Sequence, residues 1–237
     1  MNLDLLAFGP HPDDVEIGAG GILARHAEWG YRCGIVDLTA GEMSSNGTVE
    51  ERKIEAQNAK EVLGCLLRDC LHLPDAHLET NQDSIYKVIS ALRKHRPRVV
   101  LAPYYKDDRH PDHSTAGELV RRAVYLSGLK RLPLGGEPFR PGKLYFFLLS
   151  VQREPDFIVD ISSVYEKKEE AIRAHLSQFY HHRSDRKPTL VNDPFFIRYI
   201  KSRDSYLGSL IGTAQGEGLV AHEIPAVSDL VQWSELE

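Results

Sequence analysis

Leu3-Asp4-Leu5-Leu6-Ala7-Phe8-Gly9 runs straight into Pro10-His11-Pro12-Asp13-Asp14-Val15-Glu16. The first run is apolar enough to be buried on both faces, as a central parallel strand must be. A tight, Pro-stiffened turn then carries an imidazole and two carboxylates into a helix. The pattern returns at Val99-Val100-Leu101-Ala102-Pro103, with His110-Pro111-Asp112-His113 beyond it. Two His/Asp clusters at the ends of two parallel strands can converge on one crevice. His and Asp bind borderline divalent metals and move protons near neutral pH.

Around these anchors the first half alternates strand and helix. Strands are expected at Leu3–Phe8, Arg32–Leu38, Asp69–Leu73 and Arg98–Ala102. Helices are expected at Val15–Trp29, from the capping box Thr48-Val49-Glu50-Glu51 to about Leu63, and at Asp83–His95 and Ser114–Leu126. Short connections between them predict an α/β fold of three layers, a mostly parallel sheet with helices on both faces and the active site at the carboxyl ends of the strands. In the second half, 132–142 reads as a loop. Lys143–Leu149 and Phe157–Ile161 read as strands, Val164–Phe179 as one charged helix, and His181–Val191 as a polar, basic loop near the cleft. Pro194–Ile211 reads as a helix and the tail from Gly216 as a short strand. No repeat or linker divides the chain, so residues 1–237 are expected to form one domain.

Composition excludes several classes. The net charge is -5 in 237 residues, with basic and acidic residues interspersed, so no nucleic-acid footprint is visible. No apolar run approaches the ~20 residues of a membrane span. No leader pattern stands at the N-terminus, and the expected compartment is the cytoplasm. Cys33, Cys65 and Cys70 form neither a disulfide framework nor a CxxC thiolate site.

A catalytic zinc site uses three protein ligands and leaves one position open. His11, Asp14 and His113 can supply that set; the alternative for Asp13 or Asp14 is simple capping of the adjoining helix. Asp13 is then left over as a base for water, and His110 beside Asp112 as an imidazolium suited to a developing oxyanion. The chemistry is amide hydrolysis. Glu16 is open between partner of a metal-binding His and ordinary first-turn acid. Gly18, Gly20 and Gly21 do not make a dinucleotide loop, because Leu23 stands at the last glycine position. The loop Thr39–Gly47, with Ser44 and Asn46, suits sugar hydroxyls, and Arg52 suits a carboxylate or phosphate. Arg109, Arg140, Arg183 and Lys187 are further anion-binding candidates, each with ordinary surface charge as its alternative.

These residues resemble the PIG-L/LmbE-like N-acetylglucosaminyl deacetylases, through His11-Pro12-Asp13-Asp14, His110-Pro111-Asp112-His113, Ala174-His175-Leu176-Ser177-Gln178 and Arg203–Gly212. Gly41–Thr48 resembles the branch that converts N-acetyl-glucosaminyl malate to glucosaminyl malate and acetate in bacillithiol synthesis. The resemblance implies a Rossmann-like sheet and metal ligands at His11, Asp14 and His113. It implies a general base at Asp13, an oxyanion-stabilising His110 oriented by Asp112, and an aglycone contact at Arg52; Ser44, Asn46 and Arg109 are the further substrate contacts expected from the residues themselves. It also implies Zn2+, with Fe2+ or Mn2+ as substitutes, an amino-sugar conjugate as substrate, and a homo-oligomer such as a hexamer. Another N-acetylglucosamine conjugate or a chitooligosaccharide is the alternative substrate. A non-haem iron oxygenase and a non-catalytic sugar-binding module are the alternatives of class.

Overall fold

In the computed structural model, residues 2–106, 109–150, 153–179 and 187–224 are described. In chain order the elements are β1 (Leu5–Gly9), α1 (Asp14–Glu28), β2 (Cys33–Asp37), α2 (Val49–Val62), β3 (Leu67–Cys70), α3 (Gln82–His95), β4 (Val99–Pro103) and α4 (Pro111–Leu126). They continue with β5 (Lys143–Phe147), β6 (Phe157–Asp160), α5 (Tyr165–Ala174), α6 (Leu176–Phe179), α7 (Pro194–Leu210) and β7 (Gly216–Ala221). The strands make a seven-stranded sheet in the order β3-β2-β1-β4-β5-β7-β6. β1 to β5 are parallel, and β7 runs antiparallel between β5 and β6.

β1 and β4 are buried because each sheet face carries its own apolar layer. Ala7, Ile35 and Leu101 face one cluster with Ile22 of α1, Ala59 of α2, Ile172 of α5 and Ile200 of α7. Leu6, Val36 and Val100 face the other, with Val88 and Leu92 of α3 and Leu119 and Val120 of α4. The chain leaves β1 toward β2 on one side and returns through β4 on the other, so strand order switches between β1 and β4. That switch leaves a crevice beyond the strand ends, where the turn carrying His11 faces the first turn of α4, which carries His113.

The capping box at Thr48–Glu51 is made in both directions. Three local readings change. β3 lies two to three residues earlier than Asp69–Leu73. α4 starts at Pro111, earlier than Ser114, with His110 at its N-cap. The helix expected over Val164–Phe179 breaks at His175, whose ψ of 61° turns the chain so that its fully buried ring points to Glu16. Among the described residues no helix is long and apolar enough to cross a membrane.

α4 lies close to the end of β4 because Gly117 has no side chain: a Cβ there would overlap the Pro103 carbonyl oxygen and the backbone of Tyr105. Backbone cannot rotate away as a side chain can. Gly117→Ala is therefore expected to cost about 2 kcal/mol, a fall of roughly 5 °C in the thermal unfolding midpoint. An unchanged midpoint would show that the helix yields without cost.

Candidate active site

The crevice between β1 and β4 has a volume of about 470 Å³ and is lined by His11, Asp13, Asp14, Asp75, His110 and His113 on its polar side. His11 leaves β1 with its backbone N–H bonded to Asp14 Oδ2 (3.1 Å), which folds the turn back on itself. Its Nδ1 also lies 3.0 Å from Asp14 Oδ2. Across the crevice, His113 Nε2 lies 3.3 Å from Asp14 Oδ1. His11, Asp14 and His113 each offer a ligand atom, and these atoms lie within 4.8 Å of one another.

The far side of the His11 ring is equally constrained. Nε2 lies 3.0 Å from Asp75 Oδ1 and 3.4 Å from Asp112 Oδ2. A proton on Nε2 satisfies those carboxylates and leaves the Nδ1 lone pair facing Asp14 and His113, the arrangement that commonly orients a metal-binding imidazole. Burial by itself would push the His11 imidazole down, but Asp112, Asp14 and Asp75 hold it well above 6.5. Burial likewise pushes the Asp75 carboxyl up, yet its bond to His11 draws it to about 2. Three carboxylates around one ring leave negative charge that a cation would balance. The donor set fits a divalent metal: ligand bonds of about 2.0–2.1 Å place tetrahedral neighbours about 3.4 Å apart, close to the Asp14–His113 separation.

Asp13 occupies the N-cap position of α1 but makes no capping bond, so the alternative of a simple helix cap does not hold for it. Its φ of 142° is uncommon for any residue with a side chain. The turn is held there from both sides. Thr39 donates from its amide and its hydroxyl to Pro10 O, and Arg52 Nη2 donates to Pro12 O at 2.8 Å. Burial pushes the Asp13 carboxyl up to about 6, against the pull of Arg52. Arg52 Nη2 is 3.5 Å from Asp13 Oδ2.

Several expected contacts are placed differently. Arg52 lines the crevice but is not an open fork for an anion: Nη1 donates to Gly41 O, Nη2 to Pro12 O, and its buried Nε has no acceptor among the described residues. Asp112 does not orient His110. Its carboxylate accepts the Ala76 and Leu78 amides and faces His11, while its own amide donates to His110 Nδ1. Nδ1 accepts that amide, and burial and the neighbouring His11 and His113 rings lower the His110 pKa, which favours a neutral imidazole over the expected imidazolium.

Asn46 spends its amide on the backbone of Lys187, accepting its N–H at 2.8 Å and donating to its carbonyl at 2.9 Å. Ser44 does line the crevice, with Oγ between Asn46 O and Gln178 Oε1. Arg109 lines it as well, its guanidinium 4.8 Å over the Phe196 ring. Arg140 packs on Tyr125 away from the crevice. Arg183, with the rest of the expected basic loop up to residue 186, lies outside the described residues. Glu16 faces no crevice imidazole; it pairs with buried Arg68 and His175.

The residue that sequence reasoning missed is Asp75. It comes after Pro74 in the loop beyond β3, and an acid just past a parallel strand was the available signal. Gln178 also lines the crevice, tied through Nε2 to Asn46 O.

Residues 6–124 match the profile of the PIG-L family, GlcNAc-PI de-N-acetylase. A diacetylchitobiose deacetylase from Thermococcus kodakarensis is 30% identical over 91% of this chain and 81% of its own length. The chain belongs to the PIG-L family. The conserved protein TT1542 from Thermus thermophilus is 40% identical and superposes with a TM-score of 0.88, covering 98% of this chain and 99% of that one. The 4-oxalmesaconate hydratase of Pseudomonas putida is 28% identical over 74% of this chain and 76% of its own length. The names of these PIG-L relatives thus span a deacetylase and a hydratase, so the reaction has to be argued from the site itself.

Proposed function

We propose that this chain is a zinc-dependent deacetylase that hydrolyses the acetamide of an N-acetylglucosamine conjugate, releasing acetate and a free amine. The observation that carries the reading is the meeting of His11, Asp14 and His113 in a crevice also lined by the buried Asp13 carboxylate, which makes no helix-capping bond.

His11, Asp14 and His113 would hold the ion. A divalent cation in such a set supplies Lewis acidity toward a carbonyl oxygen and acidifies water. Asp13 takes the proton of the attacking water and returns it to the departing nitrogen as the C–N bond breaks. Burial raises that carboxyl above an ordinary aspartate, which favours its holding the proton between the two transfers. His110, neutral with its hydrogen on Nε2, donates to the carbonyl oxygen as negative charge builds there. Asp75 and Asp112 keep His11 in one tautomer. Arg52 holds Pro12 and Gly41 so that the Asp13 carboxylate stays beside the ligand set.

An oxygenase with H-x-D spacing would need Asp13 as a ligand, yet the carboxylate between His11 and His113 is that of Asp14. A hydratase reading draws on the Pseudomonas putida relative. Malate and a second sugar are the competing aglycones; the commitment of Arg52 to backbone carbonyls weakens the malate reading at that residue, and the resemblance of Gly41–Thr48 still supports it.

The deciding experiment is acetate release from a panel of N-acetylglucosamine conjugates by protein stripped with a chelator and reloaded with zinc, iron(II) or manganese(II). Stripping should reduce turnover by at least about a hundredfold, and zinc should restore it. Release that survives stripping, or no release with any metal, would reject the proposal.

A further inference from the structure

The crevice changes character along its length. Its inner end carries the buried His and Asp side chains, whereas the segment preceding and starting α7 contributes Leu190, Val191 and Phe196 to the lining, and the Ser44 loop contributes Met43. Phe196 is 6% exposed, stacks on Phe179 and Tyr199 and carries the Arg109 guanidinium 4.8 Å over its ring, so it forms a fixed floor. Met43 and Leu190 are each 65% exposed.

Neither of these two exposed apolar side chains hangs on a slack loop tip. The Met43 amide donates to Asp75 Oδ2 at 2.8 Å. The segment before α7 is held by two asparagines: Asn46 grips the Lys187 backbone in both directions, and Asn192 donates to Lys187 O while accepting the Thr189 amide. The backbone is thus fixed in a way that keeps hydrocarbon at the mouth of a polar site.

We propose that the conjugate carries an apolar aglycone, an alkyl or aryl group laid across the exposed Met43 and Leu190 side chains beside the Phe196 floor, and that Leu190 sets the preference for it. The proposal rests on the deacetylase reading for the sugar half of the ligand. Sugar hydroxyls and malate carboxylates need polar partners when they leave water, and these three side chains offer none. An alkyl group gains from covering them, roughly in proportion to the area buried.

Three ligands separate the cases: free N-acetylglucosamine, its hexyl glycoside and its malate conjugate, each tested with the full chain, its Leu190→Asn and its Met43→Gln variants. Binding is read by calorimetry and turnover by acetate release. The hexyl glycoside should bind about tenfold more tightly than the free sugar, and that ratio should fall toward one in Leu190→Asn through KM with kcat little changed. Met43→Gln should reduce it in the same direction. Tighter binding of the malate conjugate than of the hexyl glycoside would overturn the proposal. Equal weakening of the free sugar and the hexyl glycoside would overturn it too, assigning the wall to the sugar's own carbon face. So would a change in oligomeric state with an unaltered ratio, which would assign the wall to a second copy of the chain. Calorimetry needs no turnover, so an absence of acetate would reject the deacetylase reading while the ligand ratio still judged this one.

Discussion

Asp13→Asn is expected to lower turnover by about a hundredfold to ten-thousandfold while the metal content and the unfolding midpoint stay near their wild-type values. Asparagine keeps the size of the side chain and is among the residues that best tolerate a positive φ, so the turn at 142° is preserved. Arg52 loses a charged neighbour but keeps its bonds to Pro12 and Gly41. What disappears is a proton acceptor beside His11, Asp14 and His113. Metal analysis of the purified variant separates loss of a base from loss of a ligand, because His113→Ala or Asp14→Ala should empty the site as well as stop the reaction. Near-normal turnover in Asp13→Asn would remove Asp13 from the chemistry.

The largest effect on stability is expected at Arg68. Its guanidinium is buried between Asp37, bonded through both oxygens at 2.7 and 2.9 Å, and Glu16. The three side chains join β3, β2 and the first turn of α1, the helix that opens at Asp14. Arg68→Met leaves two buried carboxylates without their shared cation, a change that costs about 3–5 kcal/mol in comparable cases, or a fall of roughly 10 °C in the unfolding midpoint for a chain of this length.

Acid should reveal the same coupling. Burial raises the Glu16 carboxyl, yet Arg68 and His175 outweigh it and hold it at about 2, against an ordinary 4.5. A carboxyl lowered by folding stabilises the fold fully above its unfolded value, and that contribution fades as pH falls from about 4.5 to about 2. The gap between wild type and Arg68→Met should therefore narrow across that interval. A gap that is constant with pH would mean that Glu16 does not depend on Arg68 for its charge.

The sheet and the meeting of His11, Asp14 and His113 were legible because they rest on short-range signals. The buried runs at 3–8 and 98–102 could only be central parallel strands, and each chemical residue lies within a few positions of a strand end. Helix α2 announced itself through Thr48 and Glu51. Asp75 was hidden by its route. The loop after β3 turns through His72 and Ala76 at φ 50° and 61°, and neither residue type marks a left-handed position as glycine would. Arg52 and Asn46 were misplaced for another reason: their partners are backbone groups of Gly41, Pro12 and Lys187, and a sequence does not display which carbonyls will lack a donor. The break at His175 depends on a contact with Glu16, more than 150 residues away in the chain. Helical periodicity carries no trace of it.

α1 and α4 both begin at the crevice, one at Asp14 and the other at Pro111. Peptide dipoles along each helix leave partial positive charge at these starting ends, and the two ends add at the place where a substrate oxygen would become negative. Such a field does not distinguish a transient anion from a finished one. A small carboxylate formed in the crevice is held by the same two helix ends, and its departure is slowed by whatever hastened its formation.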